Sequence, residues 1–243
     1  MSMQDSFVPY YVQVAETIKN RILSGYYREG EPIPSYRKLE KEFKISNATV
    51  RKAIDLLVQE GWISKRRGLG TNVKTTRIDK IVWELSGNLQ RLRDSSRHIE
   101  LKTEVLQIEN IPCPEVIGKI LALDTSGEIW RMRKIRRLGD TVMSYYVSYT
   151  DLNTGQKIDK ESAEKMKFAD LLREKCGIKL AKLEQKLEAS TAELDLAKIL
   201  KVSFGFPILY VENVYYADNE RPVALTQIYY PGDRNVYRAT IAL

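Results

Sequence analysis

Three clusters in this 243-residue chain carry side-chain types at spacings that suit chemistry. The first is Ser46, Asn47, Thr49, Arg51 and Lys52, at the head of a helical pattern whose apolar stripe is Val50, Ala53, Ile54, Leu57 and Val58. Amide, hydroxyl and guanidinium groups there match what base edges and phosphates offer, and the positive end of the helix dipole adds attraction for phosphate. The same groups also fit an ordinary solvated face. The second cluster is Lys65, Arg66 and Arg67 before Gly68-Leu69-Gly70, inside a stretch (62–73) that reads as two short strands around a glycine tip. Glycines let such a hairpin approach a sugar-phosphate wall or enter a minor groove, where a side chain would collide. The third lies in EIWRMRKIRR (128–137), where a two-residue period puts Trp130, Met132, Lys134 and Arg136 on one face. With Trp130 and Met132 inward, two cations point to an interior where unpaired charge is costly. They call for an anion, either a protein carboxylate or a ligand phosphate or carboxylate; the alternative is that they snorkel to the rim.

The first two clusters need a scaffold, and the preceding residues supply one. Tyr11, Val14, Ala15, Ile18 and Ile22 form one helical face that should close near Ser24-Gly25. After a stiff turn containing Pro32 and Pro34, Ser35 is placed to cap a short helix with Leu39 and Phe43 inward. A three-residue joint leads to Ser46, which caps the third helix, and Gly61 ends it. Helix, turn, helix and basic hairpin outline a winged helix-turn-helix.

The later residues alternate strand and helix patterns. Residues 128–137 and 141–150 predict a hairpin turning at Gly139-Asp140, and 207–233 predict a second turning at Ala217–Glu220. Residues 162–175 read as a helix, and Ser190 with Glu193 reads as a capping box for another. Antiparallel strands with a few helices make an α+β class.

Charge follows the same division. Of 39 Lys and Arg and 32 Asp and Glu, residues 1–75 hold 13 and 8, so a basic module precedes a nearly balanced one. The expected division is a winged helix over 1–75, a linker over 76–90 and an effector-binding and dimerisation domain over 91–243. Cys113 and Cys176 share no ligand spacing and His98 is the single histidine, which argues against a zinc or haem site; no metal or cofactor is expected. No apolar run reaches membrane-spanning length, and the N-terminus lacks a signal-peptide pattern, so a cytoplasmic protein with no membrane partner is expected.

Residues 32–73 resemble the DNA-binding domain of the GntR family of bacterial transcriptional regulators. The resemblance rests on Pro34-Ser35-Tyr36-Arg37, on Ser46 with Thr49-Val50-Arg51, and on Gly68-Leu69-Gly70-Thr71, with no gaps between them. It implies that Ser35 and Arg37 hold phosphates, that Ser46, Thr49 and Arg51 meet DNA, and that Gly68 lies at the wing tip. Asn47 stands where the family usually has Arg, and Tyr36 where it often has Glu. Asn prefers adenine edges and Arg prefers guanine, so a different operator sequence is expected. Residues 80–240 resemble the UTRA domain of the HutC subfamily, whose fold is shared with chorismate lyase, through the strand with spaced cations, ADNERPVA and YYPGDRNVY. That resemblance implies effector contacts from Ser86, Lys134, Arg136, Tyr146 and Tyr230, a homodimer, and an inverted-repeat operator on double-stranded DNA. Lys134 replaces a common Arg, and Tyr146 and Ala224 stand where sugar-phosphate sensors can carry acids.

The leading expectation is therefore a dimeric repressor switched by a small effector, for which an anion is one reading. Two others stand beside it: a DNA-binding protein without a ligand, and an enzyme on the chorismate-lyase-like fold. The second of these finds no nucleophile–base pair, metal set or phosphate loop in the sequence.

Overall fold

The computed structural model describes residues 8–66, 70–74, 81–85 and 101–239, with the backbone alone for residues 66, 81–85 and 239. Gly68 and Ser86 lie outside the described residues. The chain divides into two compact units, Met1–Arg77 and Ile78–Leu243.

In the first unit, α1 (Tyr10–Leu23) buries Val14, Ala15 and Ile18 and closes at Gly25, whose φ of 77° is the left-handed turn a side chain resists. Next come α2 (Tyr36–Phe43), α3 (Asn47–Gln59), and the antiparallel pair β1 (Ile63–Arg66) and β2 (Gly70–Val73). Val14, Ile18, Leu39, Val50, Ile54, Leu57, Trp62 and Val73 close one core around them. The proline turn is tied to the wing by Ile33 N–H to the Thr71 carbonyl at 3.0 Å and Val73 N–H to the Glu31 carbonyl at 2.9 Å. Ser46 caps α3 as expected, accepting from Thr49 N–H at 3.3 Å. Ser35 occupies the N-cap position of α2, but its side chain makes no capping bond.

The second unit begins with β3 (Ile81–Leu85), followed by β4 (Lys102–Pro112), α4 (Glu115–Leu121), β5 (Glu128–Leu138), β6 (Thr141–Thr150), α5 (Leu152–Gly155), α6 (Lys160–Lys165) and α7 (Phe168–Asp170). A π-helical turn, Leu171–Lys175, leads to β7 (Leu180–Thr191), α8 (Leu194–Leu200), β8 (Pro207–Ala217), β9 (Pro222–Pro231) and β10 (Asn235–Ala239). Six strands form one antiparallel sheet in the order β4-β5-β6-β9-β8-β7, while β10 pairs in parallel with β3. The stretch 76–90, expected as a linker, thus contains a strand that belongs to the second unit. One core joins Ile117 and Leu121 of α4 and Leu196 and Leu200 of α8 to Ile135, Tyr145 and Val147 of the sheet. A second joins Phe168, Leu171 and Leu172 to Trp130, Met132, Tyr215 and Ala224. The sheet is a middle layer, as side-chain alternation along β5 and β6 requires.

Two expectations need correction. The helix read over 162–175 breaks at Met166, which is extended with φ −112° and ψ 152°. Ala163 and Phe168 are both buried but five residues apart, a spacing one continuous helix does not put on one face, so the chain restarts at Lys167. The capping box also fails, because Ser190 is committed to β7 opposite Ile208. Glu193 caps α8 alone, its carboxylate accepting from Asp195 N–H at 2.8 Å and Leu196 N–H at 2.6 Å.

Candidate functional site

The start of α3 presents Ser46, Asn47 and Arg51 to solvent, with Thr49 half-buried. These residues are already organised. The Ser46 and Thr49 hydroxyls lie 2.9 Å apart, Arg51 Nε donates to Asn47 Oδ1 at 2.8 Å, and Asn47 Nδ2 donates to Glu40 Oε1 of α2. A chain of polar contacts thereby links the second helix to the third and holds the Arg51 guanidinium along the exposed face. Ser35 and Arg37 are exposed at the head of α2. Lys65 of the wing bonds Asp55 at 3.0 Å and sits 5.6 Å from the Tyr36 ring. Tyr36 first, then Asp55, raise its ammonium above the ordinary lysine value. Tyr36, where the resembled family often has Glu, therefore steadies a wing cation. Arg66 lies on β1, opposite Gly70.

The third cluster lies in the second unit. Alternation on β5 buries Lys134 to 2% exposure and leaves Arg136 half-buried. Cross-strand register puts Tyr146 of β6 opposite Lys134, so that its ring lies 5.9 Å from Lys134 Nζ and 5.2 Å from Arg136 Cζ. Tyr230 of β9 packs edge-on against both Tyr146 and Tyr237, at 6.3 and 5.7 Å between ring centres. All four expected effector residues with described positions, Lys134, Arg136, Tyr146 and Tyr230, line one cavity of about 140 Å³.

Lys134 Nζ donates to the Ala163 carbonyl at 3.3 Å. Among the described residues, neither Lys134 nor Arg136 forms an ion pair, so neither expected alternative of a carboxylate partner or an escape to the rim describes Lys134. Burial, with Arg136 adding repulsion, lowers the Lys134 ammonium from 10.5 to about 7. Burial also raises the Tyr230 hydroxyl well above its ordinary value, and that of Tyr215 to about 12. The tyrosines therefore stay protonated and serve as hydrogen-bond donors.

Sequence reasoning missed part of the lining. Lys167 immediately precedes α7, Asp170 ends it and Arg173 lies on the π-helical turn, with Arg173 paired to Asp170 at 3.5 Å. Gln185 of β7 and Asn213 of β8 also line it, joined by a 2.9 Å hydrogen bond. The signal for Lys167 and Arg173 was hidden by the continuous helix read over 162–175, which conceals the restart at Lys167. The cavity is thus basic on balance, apolar on its aromatic walls, and supplied with neutral donors. Cations beside neutral donors are the groups that would meet an anion in such a cavity.

A winged helix with an organised polar recognition face, followed in the chain by a ligand-sized cationic pocket, defines a transcriptional regulator. Residues 10–73 match the gntR family of bacterial regulatory proteins and residues 96–235 match the UTRA domain, and the chain belongs to this family in its HutC arrangement. The HTH-type transcriptional repressor NagR of Bacillus subtilis (strain 168) is 26% identical over 234 residues, covering 96% of this chain and 95% of that protein. The mannosyl-D-glycerate transport/metabolism system repressor MngR of Escherichia coli (strain K12) is 25% identical, covering 83% of this chain and 82% of its own. The crystal structure of PhnF from Mycobacterium smegmatis shares the fold, with a TM-score of 0.57, 19% identity, and coverage of 94% of this chain and 99% of that one. NagR and MngR are regulators, not enzymes, which displaces the enzymatic alternative. No helix among the described residues is long and apolar enough to cross a membrane.

Proposed function

We propose that this regulator is a dimeric repressor that binds an inverted-repeat operator and changes its operator affinity when a small anion occupies the pocket of the second unit. The observation that carries the reading is Lys134, a buried cation facing a cavity with no carboxylate paired to it among the described residues. An anion there supplies the missing counter-charge, with Arg136 as second cation and Tyr146 and Tyr230 as donors. Ser86 is assigned to the same site by resemblance. On the DNA side, Ser35 and Arg37 hold phosphates, while Ser46, Asn47, Thr49 and Arg51 face the major groove. Lys65, Arg66 and Gly68 follow the backbone or the minor groove. Asn47 is bonded to both Glu40 and Arg51, which leaves one amide N–H and one carbonyl lone pair for an adenine edge. The repressor sense is supported by the repressors NagR and MngR among its relatives. A ligand shifts the switch only through unequal affinity for the two states, typically ~1–3 kcal/mol.

The test is selection of bound duplexes from a random DNA pool at physiological salt, repeated with inorganic phosphate and with a phosphorylated sugar. A two-fold-symmetric motif whose recovery changes with either anion supports the reading. A symmetric motif indifferent to anions would favour a regulator whose second unit only dimerises. A pool without a motif would remove the sequence-reading claim.

A further inference from the structure

The two edges of the six-stranded sheet are finished differently. At one edge β4 bulges between Val105 and Gln107, and Val105 N–H is occupied by Glu164 Oε1 of α6 at 3.1 Å. A bulge and a covering side chain are devices that stop a sheet from growing. At the other edge β7 runs for 12 residues; it also shifts register, between Leu180 and Lys182, but from Lys182 to Thr191 it pairs with β8 in unbroken register, and it is exposed from Lys186 onward. Among the described residues no strand pairs with its outer side.

The side chains of β7 alternate in two rows. One row is Lys182, Glu184, Lys186 and Glu188, whose ion pairs run along the strand at 2.8 Å and 2.7 Å. The other row contains Leu183, Gln185 and Leu187; the first two line the pocket, and Leu187 is 38% exposed.

We propose that β7 is the seam of the homodimer, pairing antiparallel with β7 of a second copy about a two-fold axis through Gln185. Directly opposite residues of an antiparallel pair share a face. In this register Lys182 meets the partner's Glu188, Glu184 meets the partner's Lys186, and Leu183 meets the partner's Leu187. A slip of two residues in either direction sets Lys against Lys and Glu against Glu, and a slip of one turns each row to the wrong face. The strand's own charge sequence therefore selects one register, and it is complementary to itself. Pairing also satisfies the outward N–H and C=O groups of β7 and joins the two sheets into one. This deepens the dimer reading above and rests on it. It further places the occupant of the pocket against Leu183 and Gln185, on the strand that joins the two copies.

The test uses the full chain in two charge variants. Lys182→Glu with Lys186→Glu makes the row wholly acidic, and Glu184→Lys with Glu188→Lys makes it wholly basic. The native chain is expected to sediment as a dimer, and each variant to self-associate about a hundredfold more weakly or worse, as four opposed pairs turn repulsive. An equimolar mixture of the variants is expected to recover dimers containing one of each, seen by native mass spectrometry. A native chain that is monomeric at every concentration overturns the dimer reading itself. Variants that dimerise as tightly as the native chain overturn the β7 seam and leave the dimer standing. Hydrogen exchange on the native chain needs no variant: amides 182–188 should gain protection as concentration rises through the dimer transition, and unchanged protection there overturns the seam.

Discussion

Replacing Lys134 by Met leaves an unbranched side chain one heavy atom shorter and removes its charge. The ammonium falls from 10.5 to about 7 because burial disfavours the charged form and Arg136 repels it. Its folded value lies below the unfolded one, so between pH 7 and 10.5 the unfolded chain holds a proton that the folded chain has released. Stability from this position rises with pH across that window, and below pH 7 the folded state carries the whole cost of a buried cation. At roughly 1.4 kcal/mol per pH unit, that cost has an upper bound of roughly 5 kcal/mol. Against it stands the single Nζ bond to Ala163, on the order of 1 kcal/mol. Lys134→Met is therefore expected to stabilise the sheet by roughly 2–4 kcal/mol near pH 6, with the gain fading toward about pH 10. Native-state hydrogen exchange of β6 and β9 amides in the full chain, native against variant across pH, reads that difference where it acts. A variant no more stable than the native chain near pH 6, or a gain that does not fade with rising pH, would refute the claim that the cation is buried uncompensated.

Other expectations follow from particular contacts. Inorganic phosphate is expected to raise the pH at which Lys134 loses its proton, visible by NMR of the lysine side chain; a titration unmoved by phosphate would deny the pocket its anion. Ser46→Ala removes the α3 cap and is expected to cost about 1 kcal/mol in thermal melts. Arg51→Ala should weaken binding to the selected operator by about 1–3 kcal/mol and relax preference at the bases it faces, whereas loss of a phosphate contact would weaken all sequences alike and lower the salt slope. Gly155→Ala drives a Cβ into the Trp130 side chain, so it should destabilise the second unit by about 1–3 kcal/mol and change the fluorescence of that buried indole.

The first unit was legible because its determinants are local. The apolar spacing of α1 and α3, the Ser46 cap, the closing glycines and the paired basic strands each act over fewer than about a dozen residues. The β5–β6 and β8–β9 hairpins were legible for the same reason, with their turns at Gly139-Asp140 and after Ala217. Alternation on β5 also sufficed to send Lys134 inward with Trp130 and Met132. Where the signal depended on distant partners, local pattern failed. Leu180, Leu183 and Leu187 stand at helical spacing, yet 180–191 is a strand because β8 offers it a full ladder. The break at Met166 answers to the core that Phe168 and Leu171 must reach, and β3 acquires a strand partner only from β10, some 150 residues later. Sequence by itself determined a basic winged helix, an antiparallel α+β domain and two inward cations. Tertiary structure alone decided that Lys167 and Arg173 join those cations in one cavity, and that β4 is covered by a side chain of α6 while, among the described residues, β7 is not. Strand order and the burial of a charge are set by contacts between residues far apart in the chain, which no short window contains.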